Sequence, residues 1–245
     1  MKEKIYTIPI NDAVDAGSFC PFCHLYEKLE KSAVSYAVGP AMMEPDFRQL
    51  TNAKGFCKKH MRDLHAQSKA LPLALVMDTH LETLTELLSS DLSGGKKSLF
   101  KKGEGVKSEF VEKLGKISSS CVVCEKIDDT FGRYFDTFVF MLKKESGFLE
   151  KVLATDGFCM EHFARLAEVA ASELSDSDFE KYFLPLVSLQ KKRVETYNEH
   201  IKNFVNNFDY RNANNKTPVP ENLLLKTGHL LNGEFEPKEK TLDNV

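Results

Sequence analysis

The sequence predicts an all-α protein: two pseudo-repeated helical units, each stapled by a Cys₃His metal site, joined by a long C-terminal helix. Three observations carry this. A cysteine–histidine pattern occurs twice, as Cys20-Pro21-Phe22-Cys23 with Gly55-Phe56-Cys57-Lys58-Lys59-His60, and as Cys121-Val122-Val123-Cys124 with Gly157-Phe158-Cys159-Met160-Glu161-His162. Apolar residues around both copies recur every three to four positions, with no strand alternation or hairpin signal. A further apolar stripe, Val194, Tyr197, Ile201, Phe204 and Phe208, follows the second copy.

The first unit spans residues 1–92. After Cys23, Leu25, Tyr26, Leu29, Ala33 and Tyr36 define one helix face, and Ser18 is a candidate cap before it. Gly55 allows a sharp turn into the helix that carries Cys57 and His60 on one face. Leu73, Val76, His80, Leu84 and Leu87 form another stripe, opened by Pro72. Residues 93–114, with Gly94-Gly95-Lys96-Lys97 and Lys101-Lys102-Gly103-Glu104-Gly105, read as a flexible linker. The second unit, 115–175, opens with candidate caps at Ser118 to Ser120, and Ile127, Phe131, Tyr134, Phe138 and Leu142 follow Cys124. Residues 176–211 read as one long helix, with Phe183 and Val187 extending its stripe and Pro185 kinking it or marking its first turn. Residues 212–245 read as an extended tail in which only Leu223 to Leu225 and Leu230-Leu231 can dock.

All six cysteines belong to the repeated pattern. Thirty-three residues separate Cys23 from Cys57 and thirty-four separate Cys124 from Cys159. That near-equality assigns each metal within its own copy: Cys20, Cys23, Cys57 and His60 in one site, Cys121, Cys124, Cys159 and His162 in the other. Three thiolates and an imidazole make a full tetrahedral set, so the expected cofactor is two Zn²⁺ ions. CxxC at a helix start gives thiolates the N–H groups and dipole of that terminus. Phe56 and Phe158 are expected to pack beneath the ligands. An iron–sulfur cluster is the rival, since thiolates also bind iron and a histidine can replace a cysteine. The stretch Cys20-Pro21-Phe22-Cys23-His24 matches a haem-attachment signature, but the second copy has Glu125 in place of His24, so the match reads as accidental. His65 and His80 read as ordinary helix and core residues, and His200 and His229 have no evident partners in the sequence. No nucleophile elbow, phosphate loop or two-histidine protease motif is present.

A formal net charge of −3 argues against a dedicated nucleic-acid binder. No apolar run is long enough for a signal peptide or a membrane span, which predicts a cytoplasmic protein with reduced thiols.

CPFCHLYEKLE, EPDFRQLTNAKGFCKKHMRDL, its echo ESGFLEKVLATDGFCMEHFARL, and FDYRN at 208–212 together resemble an uncharacterised bacterial family, catalogued as a domain of unknown function. Some members of that family carry the label of an ABC-transporter substrate-binding protein. This chain shows neither an export signal nor a lipid-attachment cysteine near its start. The resemblance implies a shared fold and metal sites, and no activity. Two functional readings follow from the residues. The first is a non-enzymatic interaction or adaptor protein with an unidentified protein partner. The second is an iron–sulfur or thiol-based redox enzyme or sensor that uses the same cysteines.

Overall fold

A computed structural model describes residues 4–93, 104–212 and 216–235. Among them every regular element is helical. The helices are α1 (Lys4–Asp15), α2 (Pro21–Ala37), α3 (Pro45–Lys54), α4 (Lys58–Ala66), α5 (Ala70–Ser93), α6 (Glu104–Ser119), α7 (Val122–Lys144), α8 (Phe148–Leu153), α9 (Met160–Glu173), α10 (Asp176–Asp178), α11 (Leu184–Asn206) and α12 (Leu223–Asn232). The chain forms two compact units that cut across the repeat: Met1–Glu27 with Phe131–Val245, and Lys28–Thr130. Their boundaries fall inside α2 and inside α7. Each unit therefore draws on both copies of the motif instead of keeping one copy whole.

The unit formed by Met1–Glu27 and Phe131–Val245 has a phenylalanine core. Phe22 of α2 stacks on Phe135 of α7 with centroids 4.0 Å apart, and also meets Phe131, Phe138 and Phe158. The rings continue from Phe158 through Phe163 to Phe183. The α7 stripe read from the sequence is buried as expected, at Ile127, Phe131, Tyr134, Phe138 and Leu142. Burying each such side chain is worth about 1.5–3 kcal/mol, and offset or edge-on ring pairs add about 0.5–1.5 kcal/mol.

The unit Lys28–Thr130 has an aliphatic core: Ala33, Val34, Ala37, Val38, Leu64, Leu73, Val76 and Ile127, with Phe47 as its ring. Arg48 of α3 donates to Leu75 O and Thr79 Oγ1 of α5, each at 3.2 Å, and so ties those helices together.

Three expectations about the remaining segments change. Of the stretch 93–114, residues 104–114 lie in α6; only 94–103 lie outside the described residues. The tail holds α12, with Leu223 and Leu230 buried. The long-helix stripe is displaced: the buried face of α11 is Leu186, Gln190 and Arg193, continuing Phe183. Tyr197, Ile201 and Phe204 are half-buried, while Val187 and Val194 are exposed. The buried face includes two polar residues, which a hydrophobicity pattern assigns to solvent. Pro185 sits in the first turn of α11, and the hydrogen-bond ladder widens into a π turn at Phe179–Phe183 just before it. A residue without an N–H cannot donate back into that turn.

Candidate metal centres

Four helix starts carry the motif. Cys20 and Cys121 immediately precede α2 and α7, and their carbonyls accept the first helical bonds, from His24 N and Glu125 N. Cys57 and Cys159 are the N-caps of α4 and α9. The Cys57 sulfur accepts from His60 N at 3.5 Å. Thiolates at these positions face unsatisfied N–H groups and the positive end of a helix dipole. The cysteines occupy the cap positions that the sequence reading gave to serines. Ser120 Oγ instead donates to Lys54 O, Ser118 and Ser119 bond to Gly115 O, and Ser18 Oγ is buried without a partner.

The helix starts pair across the two copies. Cys20, Cys23, Cys159 and His162 form the first centre; Cys57, His60, Cys121 and Cys124 form the second. In both groups all ligand atoms lie within 4.8 Å of one another. The within-copy pairing drawn from equal spacing is therefore wrong, although the same eight residues supply both groups. Each centre joins the CxxC of one copy to the GFCxxH of the other, and each lies within one compact unit.

The dimensions fit a single tetrahedral ion. A tetrahedral ion about 2.3 Å from sulfur and about 2.0–2.1 Å from nitrogen sets edges of about 3.8 Å between sulfurs and about 3.6 Å between sulfur and nitrogen. The Cys23–Cys159 and Cys57–Cys124 sulfurs are each 3.8 Å apart. His162 Nδ1 lies 3.6, 3.4 and 3.2 Å from the sulfurs of Cys20, Cys23 and Cys159. His60 Nδ1 lies 3.4, 3.3 and 3.3 Å from those of Cys57, Cys121 and Cys124. Both imidazoles thus present the same nitrogen to their sulfurs.

Without an ion, protons are shared within each group. Burial pushes the Cys20 thiol up, but hydrogen bonds with Cys159, Cys23 and His162 outweigh it and hold the thiol well below its ordinary value. Cys23 is pushed far up, first by hydrogen bonds with Cys159 and Cys20 and then by burial. Burial lowers His162, yet bonds to Cys159 and Cys20 raise it to about 9. In the second centre, the bond to Cys121 and then that to Glu30 raise His60 to about 10. Burial works to raise Cys121, but His60 brings it down to about 6. Burial and then Cys121 push Cys124 up to about 12. A divalent cation displaces those shared protons, so metal binding at either group releases protons.

The surroundings include residues that the motif does not announce. In the second centre, His60 Nε2 lies 3.1 Å from Glu30 Oε1, and Lys59 pairs with the same carboxylate. A carboxylate placed so would fix the ring of a metal-ligating histidine. Gly55, at φ +67°, leaves no room for a Cβ, which would sit 2.9 Å from His80 Nε2. His80 is held by Asn52 O at 2.9 Å, the satisfied histidine that the sequence indicated. Val122 N donates to Gly55 O, pinning the GFC turn of one copy to the CxxC of the other.

In the first centre, buried Gln190 plays the corresponding part. Its Oε1 accepts from Phe158 N at 3.0 Å and its Nε2 donates to Phe158 O at 2.9 Å. At Gly157, with φ +99°, an added Cβ would sit 3.0 Å from that same oxygen. After α12, Gly233 turns at φ +81° and Glu234 N donates to Cys23 Sγ at 3.4 Å. An Asn-Gly pair closing an apolar helix is a legible stop signal, but nothing in the sequence shows where that stop docks. Arg193 is 7% exposed, lies 3.9 Å over the Phe19 ring, and keeps Nε and Nη1 without a hydrogen-bond partner. Burial lowers its pKa against the attraction of Tyr197, Cys20, Asp156 and Cys159.

Among the remaining sequence candidates, Phe158 is buried beneath the first centre while Phe56 is half-buried. His65 is exposed. His24 and His200 belong to neither group.

Two helical units, each with a Cys₃His group that can hold a metal ion, define the class of protein. The chain belongs to DUF6062, a family of unknown function whose model matches residues 1–236. No curated protein and no solved structure matches it.

Proposed function

We propose that this is a cytosolic helical protein that binds two structural zinc ions and acts as a non-enzymatic interaction or adaptor protein for another protein. One observation carries the reading: each centre is closed. Three sulfurs and one nitrogen already span the edges of a single tetrahedron, which leaves no position for water or substrate. A multi-iron cluster holds its ligands on separate irons, farther apart than the 3.8 Å sulfur contacts here. With Zn²⁺ each set carries one net negative charge. Helix N-termini offset it in both centres, and Arg193 and the Glu234 N–H add to this in the first. Thiolate ligands suit a reducing compartment. No helix among the described residues is long and apolar enough to cross a membrane.

Elemental analysis of anaerobically purified protein tests this. Two zinc ions per chain in a colourless preparation are expected, with tetrahedral cobalt–thiolate bands after exchange with Co²⁺. Stoichiometric iron and sulfide with visible absorption would establish the redox reading in its place.

A further inference from the structure

Between the α8–α9 loop, α11 and α12, all within one compact unit, lies a cleft of about 430 Å³. That volume is in the range of small-molecule sites. Lys192 and Arg193 line it from α11 and Lys226 lines it from α12. Among the described residues none of the three is in an ion pair. Arg193 is the unusual member, a guanidinium more than nine-tenths buried with two N–H-bearing nitrogens unpartnered. Burying a cation whose Nε and Nη1 find no acceptor is costly, and a site that gathers two more cations beside it raises that cost. Asp156 lines the same cleft and offsets one of the charges, and His200 lies at its edge. Lys192, Arg193 and Lys226 against Asp156 make the lining cationic, with part of the Arg193 charge shared with Cys20 and Cys159. A planar guanidinium with two mobile ammonium groups also suits a phosphate's several acceptor oxygens.

We infer that this cleft binds the phosphate group of a small soluble ligand, with Lys192, Arg193 and Lys226 as the residues that hold it. The cleft is lined by none of the metal ligands, and Arg193 is its residue that also faces them. Arg193 also supports the first centre, so its removal would confuse the two roles. Lys192 and Lys226 are exposed and far less exposed to that ambiguity.

The test is calorimetric titration of the full, zinc-loaded chain with inorganic phosphate, with acetate and chloride at matched ionic strength as controls, on wild type and on Lys192→Met/Lys226→Met. Wild type should bind phosphate saturably and acetate not at all. The double variant should keep its melting temperature and zinc content but lose affinity by at least about tenfold, as removal of two charge-assisted contacts requires. Absence of saturable phosphate binding, or unchanged affinity in the variant, would overturn the inference. Co-sedimentation with phosphatidic acid vesicles, lost in the same variant, would overturn the soluble ligand in favour of a lipid headgroup.

Discussion

Cys20, Cys23 and Cys159 of the first centre retain 0%, 7% and 0% of their accessible surface, whereas Cys57 and Cys124 of the second are half-exposed. The first is packed into the aromatic core: the rings of Phe22, Phe131 and Phe135 lie 5.3–6.2 Å from that of His162. The second meets an ionised network, with His60 facing Glu30 and Glu30 facing Lys59. Identical ligand sets therefore sit in unlike media. The first is largely shielded from water by the core, so an ion there is expected to exchange more slowly, through local unfolding. The second leaves Cys57 and Cys124 partly accessible while Cys121 and His60 are buried, so an ion there is expected to be the more labile, with Glu30 tuning its affinity.

The most decisive way to break this comparison is to ask which cysteines share an ion. Cys20→Ser with Cys159→Ser should remove one zinc and leave the second centre loaded. Cys20→Ser with Cys57→Ser should empty both. Zinc content per chain reads the difference, and the reverse pattern would restore the within-copy pairing.

Single substitutions compare the two in stability. Metal sites of this type contribute about 10–16 kcal/mol in small peptides, so losing one thiolate forfeits several kcal/mol. Cys159→Ser is expected to be more destabilising than Cys57→Ser, because it exposes the phenylalanine core as well as the ion. A chelator should strip the second centre first, giving two phases of zinc release. A single phase, or equal melting temperatures for the two variants, would show the centres to be equivalent.

The ligands and the helical class were legible because both are local: CxxC and CxxH fix residue types within one turn, and periodicity fixes a helix face. The pairing is non-local, and equal spacing is compatible with either arrangement. Helix length weighs against the within-copy arrangement. The 17 residues of α2 carry the chain about 26 Å from Cys20, while the 10 of α3 can return it by only about 15 Å before Cys57. In the second copy the 23 residues of α7 carry it about 35 Å, and the 6 of α8 return about 9 Å. In each copy the return helix is shorter than the outgoing one, so the helices alone do not carry GFCxxH back to its own CxxC. Gln190, Arg193 and Glu30 were not legible, because a polar residue on a helix reads as solvent-facing until its neighbours are known.

Gln190 gives the next smaller effect. Gln190→Leu keeps much of the volume but leaves Phe158 N and O, both buried, without partners. The cost of stranding such groups is about 1–3 kcal/mol each. Thermal unfolding should fall accordingly while the second centre keeps its ion. An unchanged melt would mean that the Phe158 backbone finds water or another partner, and that the first centre is less dry than its burial indicates.

The smallest effect separates the centres most cleanly. Glu30→Gln preserves shape and a hydrogen-bond acceptor but removes the charge that faces His60 Nε2. In the protein without an ion, that carboxyl is held down at about 2, first by its bond to His60 and then, against burial, by Lys59. With an ion on Nδ1, the same carboxylate holds the Nε2 proton and makes the imidazole a stronger donor to the metal. Loss of such outer partners typically weakens metal binding by about 10–100-fold. Among the described residues no carboxylate is seen on the histidine of the first centre, so its affinity should not move. Competition with a graded chelator should therefore show one zinc weakened and one unchanged. Equal weakening of both would mean that the centres communicate, and no weakening would mean that Glu30 serves Lys59 rather than His60.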